Sequence, residues 1–587
     1  MPCGMHDKIL IKPMNLASNL PTRGMKSLFP IGILGLTTWL GCQTEGHRAD
    51  ADAEVLAILN ERSRQILGEE AGTNLVSTTV GERPDTVSPA RIIQERFADG
   101  GRTLTLPAAL EMAERHNRSY QLQRETLYLQ ALSLTGTRHK FVWNPSSTVD
   151  LGIARQTDGG LRGDSDADVS VQKLFQTGAS VTATLANDLV LYFDGKPKVP
   201  DLTLKLTQPL LRGAGAEIAA EVLTQAERDV VYAVRDYSHY QKTFAIETVG
   251  EYFRVLQGKD AVRNSYNNYL NLQKARDRAE AMAEAERLAR YQVDQARQSE
   301  LSARVKYLKA VESYRQALDG FKQRLSLPLG EALRLEDRAL TDLVSQGLTP
   351  LELDERHGYL MAVTNRLDVL NEVDRFEDAQ RKVRVAASDL KPGLDVVVDA
   401  SLKKQFYSSF SPEEFASTSG LKLKLPLNQL TERNAYRTSL INFEKQMRKL
   451  ATELDSLREN IREGIRALEQ ERENYFIQKA ALELARQQVE VMPLLLQNDD
   501  ADIRDQLEAQ ADLVEAQNDV TSAVVDYHVA RWNLLKNLGA LSVESEQFWL
   551  KNQSVFGSST AVNPETAEIL PEVITPEQVF GGPKTQE

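Results

Sequence analysis

Few residues in this 587-residue chain have types and spacings that could do covalent chemistry. Its seven histidines are scattered, with no His-x-x-x-His pair at metal-ligand spacing, so no metal site is expected. The two cysteines, Cys3 and Cys42, cannot make a disulfide framework or a thiolate metal centre. No Gly-x-Ser-x-Gly turn occurs and no carboxylate pair sits in a cleft-forming context, so neither an enzyme nor a cofactor is expected. Gly213 and Gly215 open like a phosphate loop, but the third glycine is missing and a turn from strand to helix fits better. What remains is charge. The run Asp499-Asp500-Ala501-Asp502 is followed by Asp505 and Glu508, and like charges crowded into an opening repel one another and attract cations.

The elements that would position such an acidic cluster can be read from the bulk pattern. A formal charge of −13 leaves no basic face for phosphates, which argues against nucleic acid as a partner. A mean hydropathy of −0.38 argues against a bundle of membrane helices. Only residues 28–41 are continuously apolar, too short a stretch to span a bilayer comfortably. If the chain crosses a membrane, it must do so with strands.

Arg23 and Lys26 precede that apolar run, which ends at Leu40-Gly41-Cys42, so residues 1–42 read as a secretory signal with Met25 a plausible true start. The Gly41-Cys42 ending resembles a bacterial lipoprotein signal, which implies acylation of Cys42. Gln43 in place of Asp implies delivery to the outer membrane. Trp39 stands where the motif has Leu, so ordinary cleavage nearby is the other reading. Residues 43–103, with a short helical pattern over 53–67, read as a partly ordered linker, and the Pro-, Glu- and Thr-rich residues 543–587 as a disordered tail.

Between these ends the sequence describes one architecture twice, over 104–340 and 341–542. Asn117-Arg118 with Leu122 recurs as Asn365-Arg366 with Leu370, and Pro145 recurs as Pro392. The segment 204–210 recurs as 421–427. Ala296, Ala310, Tyr314, Ala317 and Leu325 match Ala509, Ala523, Tyr527, Ala530 and Leu538 at a constant offset. Each half reads helix, strand, strand, long helix, return helix.

The strand-like segments 148–153, 168–172, 202–206, 394–399 and 421–427 alternate apolar and polar residues. A strand between lipid and water needs that pattern, and so does a soluble sandwich strand. The helices separate the two. No proline falls between Pro209 and Pro328 or between Pro426 and Pro493. Leu440, Phe443, Met447, Leu450, Leu454, Leu457, Ile461, Ile465 and Leu468 step by threes and fours, predicting a helix over 428–491 roughly 95 Å long. Shorter helices over 106–140 and 289–327, stacked end to end, would match one long helix. About four membrane strands per chain cannot close a barrel, which needs about eight, so at least two copies are required.

The run Leu206-Thr207-Gln208-Pro209-Leu210-Leu211-Arg212-Gly213-Ala214-Gly215 resembles the TolC-like outer membrane efflux family. So do Leu104-Thr105-Leu106-Pro107 with Asn117, the run 507–518, and Leu534-Leu535-Lys536-Asn537-Leu538-Gly539. The resemblance covers 104–541. It implies an α+β protomer of long coiled-coil helices plus about four transmembrane β-strands, a homotrimer with a twelve-stranded β-barrel in outer-membrane lipid, and an α-helical barrel reaching into the periplasm. It further implies passive conduction for a periplasmic adaptor and an inner-membrane pump, in tripartite efflux or type I secretion. By motif position the periplasmic gate falls on Asp505 and Glu508, beside Asp502, and the tip contacts to the adaptor on Glu286, Asp499 and Asp500. The same acids also suit a helix N-terminus. Gln292 stands where the first half would carry a gate acid, and Glu286 and Asp499 replace the usual tip glycine, a departure from the family. Trp143, Tyr192 and Phe193 could belong to aromatic girdles, or to core or loops. The competing function is a periplasmic coiled-coil scaffold or adaptor without a pore.

Overall fold

The structure, a computed structural model, describes residues 44–69, 88–97, 100–155, 161–187, 201–348, 351, 353–403, 415–497, 501–543 and 548–550. Cys42 with the rest of the signal, Tyr192, Phe193, Asp499, Asp500 and the tail beyond Leu550 lie outside them. By internal contacts the chain divides into units 1–53 and 54–587. Of the first, the description begins at the opening of helix α1 (Thr44–Leu67), where Arg48 and Asp52 pair one turn apart at 3.8 Å.

The second unit continues with α2 (Pro89–Glu95), β1 (Gly101–Leu104), α3 (Leu106–His116) and α4 (Arg118–His139). Sequence periodicity suggested one helix over 106–140, but it breaks at Asn117. This residue takes an extended conformation, ends α3, and caps α4 by accepting from the Tyr120 N–H at 2.9 Å. Four strands follow, β2 (Asn144–Arg155), β3 (Leu161–Leu174), β4 (Ser180–Asn187) and β5 (Asp201–Pro209). Gly213 and Gly215 then take positive φ in the expected turn into α5 (Ala216–Ala219). The 64-residue α6 (Glu221–Glu284) runs outward and α7 (Arg290–Arg324) returns.

After β6 (Ala332–Leu335) and α8 (Arg338–Gln346), the second half repeats the plan. It has α9 (Glu355–Asn365), α10 (Leu367–Asp389), β7 (Gly393–Lys403), β8 (Phe415–Lys424), the 68-residue α11 (Leu430–Gln497) and α12 (Ile503–Asn537). At 1.5 Å per residue α11 is about 100 Å long. It passes through Pro493 near its end, where a missing N–H removes a single backbone bond.

The long helices run the length of the unit while the short ones stack beside them: α4 and α7 along α6, α10 and α12 along α11. Of the repeat pairs, Ala296 with Ala509 and Leu325 with Leu538 are buried in both halves, whereas Ala523 and Tyr527 are buried and their counterparts Ala310 and Tyr314 only half-buried. The main core lies where the stacked helices meet. There Tyr252, Phe253, Phe321 and Trp532 pack around the parallel pair β1–β6, and the Tyr252 hydroxyl donates to the carbonyls of Leu104 (3.2 Å) and Glu336 (3.1 Å).

Three boundaries differ from the sequence reading. The segment expected as a linker contributes Val55, Ile58 and Leu59 of α1 to a buried cluster with Leu127, Ala131, Leu134, Val230 and Val234. The expected tail begins too early, because Phe548 and Trp549 are buried, with Phe548 edge-on to Trp532 at 6.2 Å. The third difference is the strand count. Among the described residues one antiparallel sheet has six strands, in the order β2-β3-β4-β5-β7-β8, not about four. The reason is local: Gly178, at φ 89° in the turn after Phe175, reverses the chain so that β4 pairs back on β3.

Candidate functional site

The sheet sorts its side chains by register. In neighbouring pairs across the first four ladders, Pro145 stands opposite Val171, Val171 opposite Ala183, Ala183 opposite Leu204, and Leu204 opposite Ala400. Leu206 opposes Val398, and Val396 opposes Leu421. Strand side chains alternate faces with period two, so one face is mainly apolar, interrupted by Ser147 on β2 and by Ser417 and Ser419 on β8. The other carries Thr148, Asp168, Thr182, Thr184, Lys205, Thr207, Asp399 and Lys422. In the single chain the apolar face is open: Val149 is 61% exposed and Leu421 69%. At its helix-side margin Trp143 meets Phe175 edge-on at 6.4 Å, with the Lys173 ammonium 5.3 Å and 5.0 Å from the two ring centres. The cluster sets an ammonium against two aromatic rings, an amphipathic arrangement.

Next to the sheet, α4, α6, α10 and α11 pack as successive neighbours, and their side chains line a groove of about 750 Å³. Its wall is mixed, with Gln123, Gln130, Asp229, Asp236, Lys382 and Asn442 beside Leu127, Ala233 and Ala379. Burial pushes the Asp236 carboxyl up, partly offset by the Arg375 guanidinium. The seam between the two halves crosses these helices as an ionic network. Asp378, nearly buried, takes Arg228 at 2.7 Å, Arg381 at 2.8 Å and the Tyr232 hydroxyl at 2.7 Å. Asp374 takes Arg228 at 3.0 Å and Arg235 at 2.5 Å, and Glu221 takes Arg381 at 3.0 Å. Sequence reading missed this seam. Its only trace is Arg228 with Arg235, and Asp374, Asp378 and Arg381, each set spaced to share one helix face.

At the far end the two helical hairpins come together. Ile503 and Leu507 of α12 bury against Leu272, Ala279, Val293 and Ala296 of α6 and α7. Asp502 and Asp505 form a capping box: the Asp505 carboxylate accepts from the Asp502 N–H at 3.0 Å, and the Asp502 side chain accepts from the backbone of Asp505. The Gln292 amide also donates to Asp502, at 3.5 Å. Glu508 stands exposed one turn on, in a groove shared with Arg504 and Lys306. Glu286 is exposed on the α6–α7 turn at φ 58°, a conformation glycine would adopt without strain. The structure thus joins Asp502, Asp505 and Gln292 at one tip and places Glu286 on the turn of the other hairpin.

No family model and no curated protein matches the chain. Solved structures do match. A crystal structure of CusC, concerned with transmembrane channel formation, superposes with a TM-score of 0.54 at 11% identity, over 74% of this chain and 91% of that one. The CmeC outer membrane channel of Campylobacter jejuni gives 0.53 at 13% identity, over 76% and 87%. The outer membrane protein VceC of Vibrio cholerae gives 0.53 at 12% identity, over 74% and 96%. At these identities the likeness is one of fold: the chain has the α+β fold of the TolC-like outer-membrane channels.

Proposed function

We propose that this chain is the outer-membrane channel of an export system, and that it conducts passively. In this reading copies of the six-stranded sheet close a barrel in the outer membrane. The helices continue it into the periplasm and receive substrate from an adaptor and an inner-membrane pump, in tripartite efflux or type I secretion. Three copies would form the channel, and acylation of Cys42 would tether each to the membrane.

The observation that carries this reading is a mainly apolar face that reaches all six strands, broken only by serines on the edge strands β2 and β8, while the opposite face is mainly polar. A sandwich would cover that face with a second sheet, whereas here it is open in the single chain. An adaptor or scaffold without a pore has no use for it. The groove among the helices supports the same reading, because the polar side chains on its wall would face water beneath the barrel. At the tips, Asp505, Glu508 and Asp502 would ring the periplasmic entrance as its gate, and Glu286 with Asp499 and Asp500 would meet the adaptor.

Crosslinking in cells, followed by purification of the full chain, tests the assignment. Recovery of a periplasmic adaptor and an inner-membrane pump is expected, together with loss of export when the chain is deleted. Normal export without it would overturn the assignment.

A further inference from the structure

The duplication is regular in the helices and breaks in the sheet. Two strands, β7 and β8, lie between α10 and α11, but four lie between α4 and α6. The two additional strands belong to the same membrane-type surface as the rest. On β3 and β4, Val169, Val171, Val181, Ala183 and Leu185 continue the apolar face, and Asp168, Thr182 and Thr184 continue the polar one. A hairpin folded away from the barrel would have no reason to keep that sorting in register with β5 and β7.

The sheet ends in two edges, the 12-residue β2 and the 10-residue β8. In hydrocarbon each unpaired N–H and C=O on such an edge costs several kcal/mol. β2 runs away from the helices and β8 returns to them. Set beside one another, β8 of one copy and β2 of the next give an antiparallel pair, which continues the pattern of every ladder within the sheet. The apolar face extends to both edges, through Pro145 and Val149 on one and Leu421 and Leu423 on the other. The partner that matches both edges in direction, length and polarity is another copy of this chain.

We infer that three copies close an eighteen-stranded barrel, β8 of each against β2 of the next, instead of the twelve strands that four per copy would give. The inference rests on the channel reading above and adds the dimension of its outlet. Barrel diameter grows roughly linearly with strand number, so the lumen is about 1.5 times as wide as with twelve strands, in the size class of water-filled porins. Such an outlet admits large hydrated solutes and leaves selection to the helical part.

Electron cryomicroscopy of the full chain, purified from outer membranes in detergent, counts the strands. Three copies and eighteen strands are expected. Twelve strands, or another copy number, would overturn the inference, whereas particles with no barrel would overturn the channel reading on which it rests. Disulfide trapping gives an independent measure. Ser147→Cys on β2, combined in turn with Ser417→Cys, Ser419→Cys and Leu421→Cys on β8, should give covalent dimers and trimers on denaturing gels with at least one pair. Each single variant should give none. Ala183→Cys on β4, combined with the same β8 set, should also give none, and ladders with β4 in place of β2 would contradict the arrangement.

Discussion

The side-chain amide of Asn117 donates to the carbonyl of Arg324 at 2.8 Å, while its Oδ1 accepts from the Tyr120 N–H at 2.9 Å. One residue thus caps the start of α4 and fastens it to the end of α7, stacking two short helices into one partner for α6. The second half makes the same joint by close approach. A Cβ placed on Gly539, just beyond α12, would lie 2.8 Å from the carbonyl carbon of Asn365, where α9 passes into α10.

Asn117→Ala removes a cap and leaves the Arg324 carbonyl without its donor. A loss of about 2 kcal/mol is expected. Asn117→Asp keeps the cap and should lose about half as much. Chemical denaturation at fixed protein concentration, followed by helical circular dichroism, measures both, and equal losses would contradict the dual role.

Ser326 and Gly539 occupy matching positions after α7 and α12, at φ 57° and 73°. The backbone bonds also match: Leu327 N–H to Lys322 O at 2.8 Å, and Ala540 N–H to Leu535 O at 2.9 Å. Ser326→Gly should therefore stabilise by about 1 kcal/mol by relieving the left-handed strain. Gly539→Ala should destabilise by more than about 2 kcal/mol, because the strain is joined by the clash with Asn365. Opposite signs in the same denaturation assay are the expected result.

These joints show what was legible in the sequence. Asn117 and Asn365, Leu325 and Leu538, and the proline-free runs exposed the duplication and the long helices, because helix packing repeats every three or four residues over many turns. The strand β4 was harder to read. Its alternation rests on Val181, Ala183 and Leu185 over 8 residues, too short and too small to stand out, although Gly178 marked the turn before it. The capping role of Asp502 and Asp505 was open in the sequence as the helix-terminus reading. Met447, in the periodic stripe of α11, is 49% exposed, because periodicity gives a face but not its partner. The seam around Asp378 has no apolar period at all.

Asp378→Ala should destabilise the chain by about 3 kcal/mol, because Arg228, Arg381 and Tyr232 all lose a partner in a nearly buried site. Asp378→Asn, which keeps the shape but not the charge, should recover part of the loss. A thermal or chemical melt within error of the unsubstituted chain would show that the seam does not hold the halves together.

His528 is buried beside Arg531, with its Nε2–H donating to the Gly347 carbonyl at 3.2 Å. Burial, aided by the Arg531 charge, lowers its pKa from 6.5 to about 4. The folded chain therefore binds this proton less readily than the unfolded chain. Stability from this group is complete above pH 6.5 and falls as pH drops toward 4. Between pH 7.5 and 5 the chain should lose about 2 kcal/mol that His528→Gln does not lose. Parallel pH profiles for the two would contradict the assignment.

The most direct test of the channel itself is fractionation of cells producing the full chain, followed by gels run with and without boiling. The fold and the open apolar face lead to recovery in the outer-membrane fraction, extractable only by detergent, as an oligomer that boiling reduces to the single chain. Recovery as a soluble monomer in the periplasmic extract would contradict a membrane barrel.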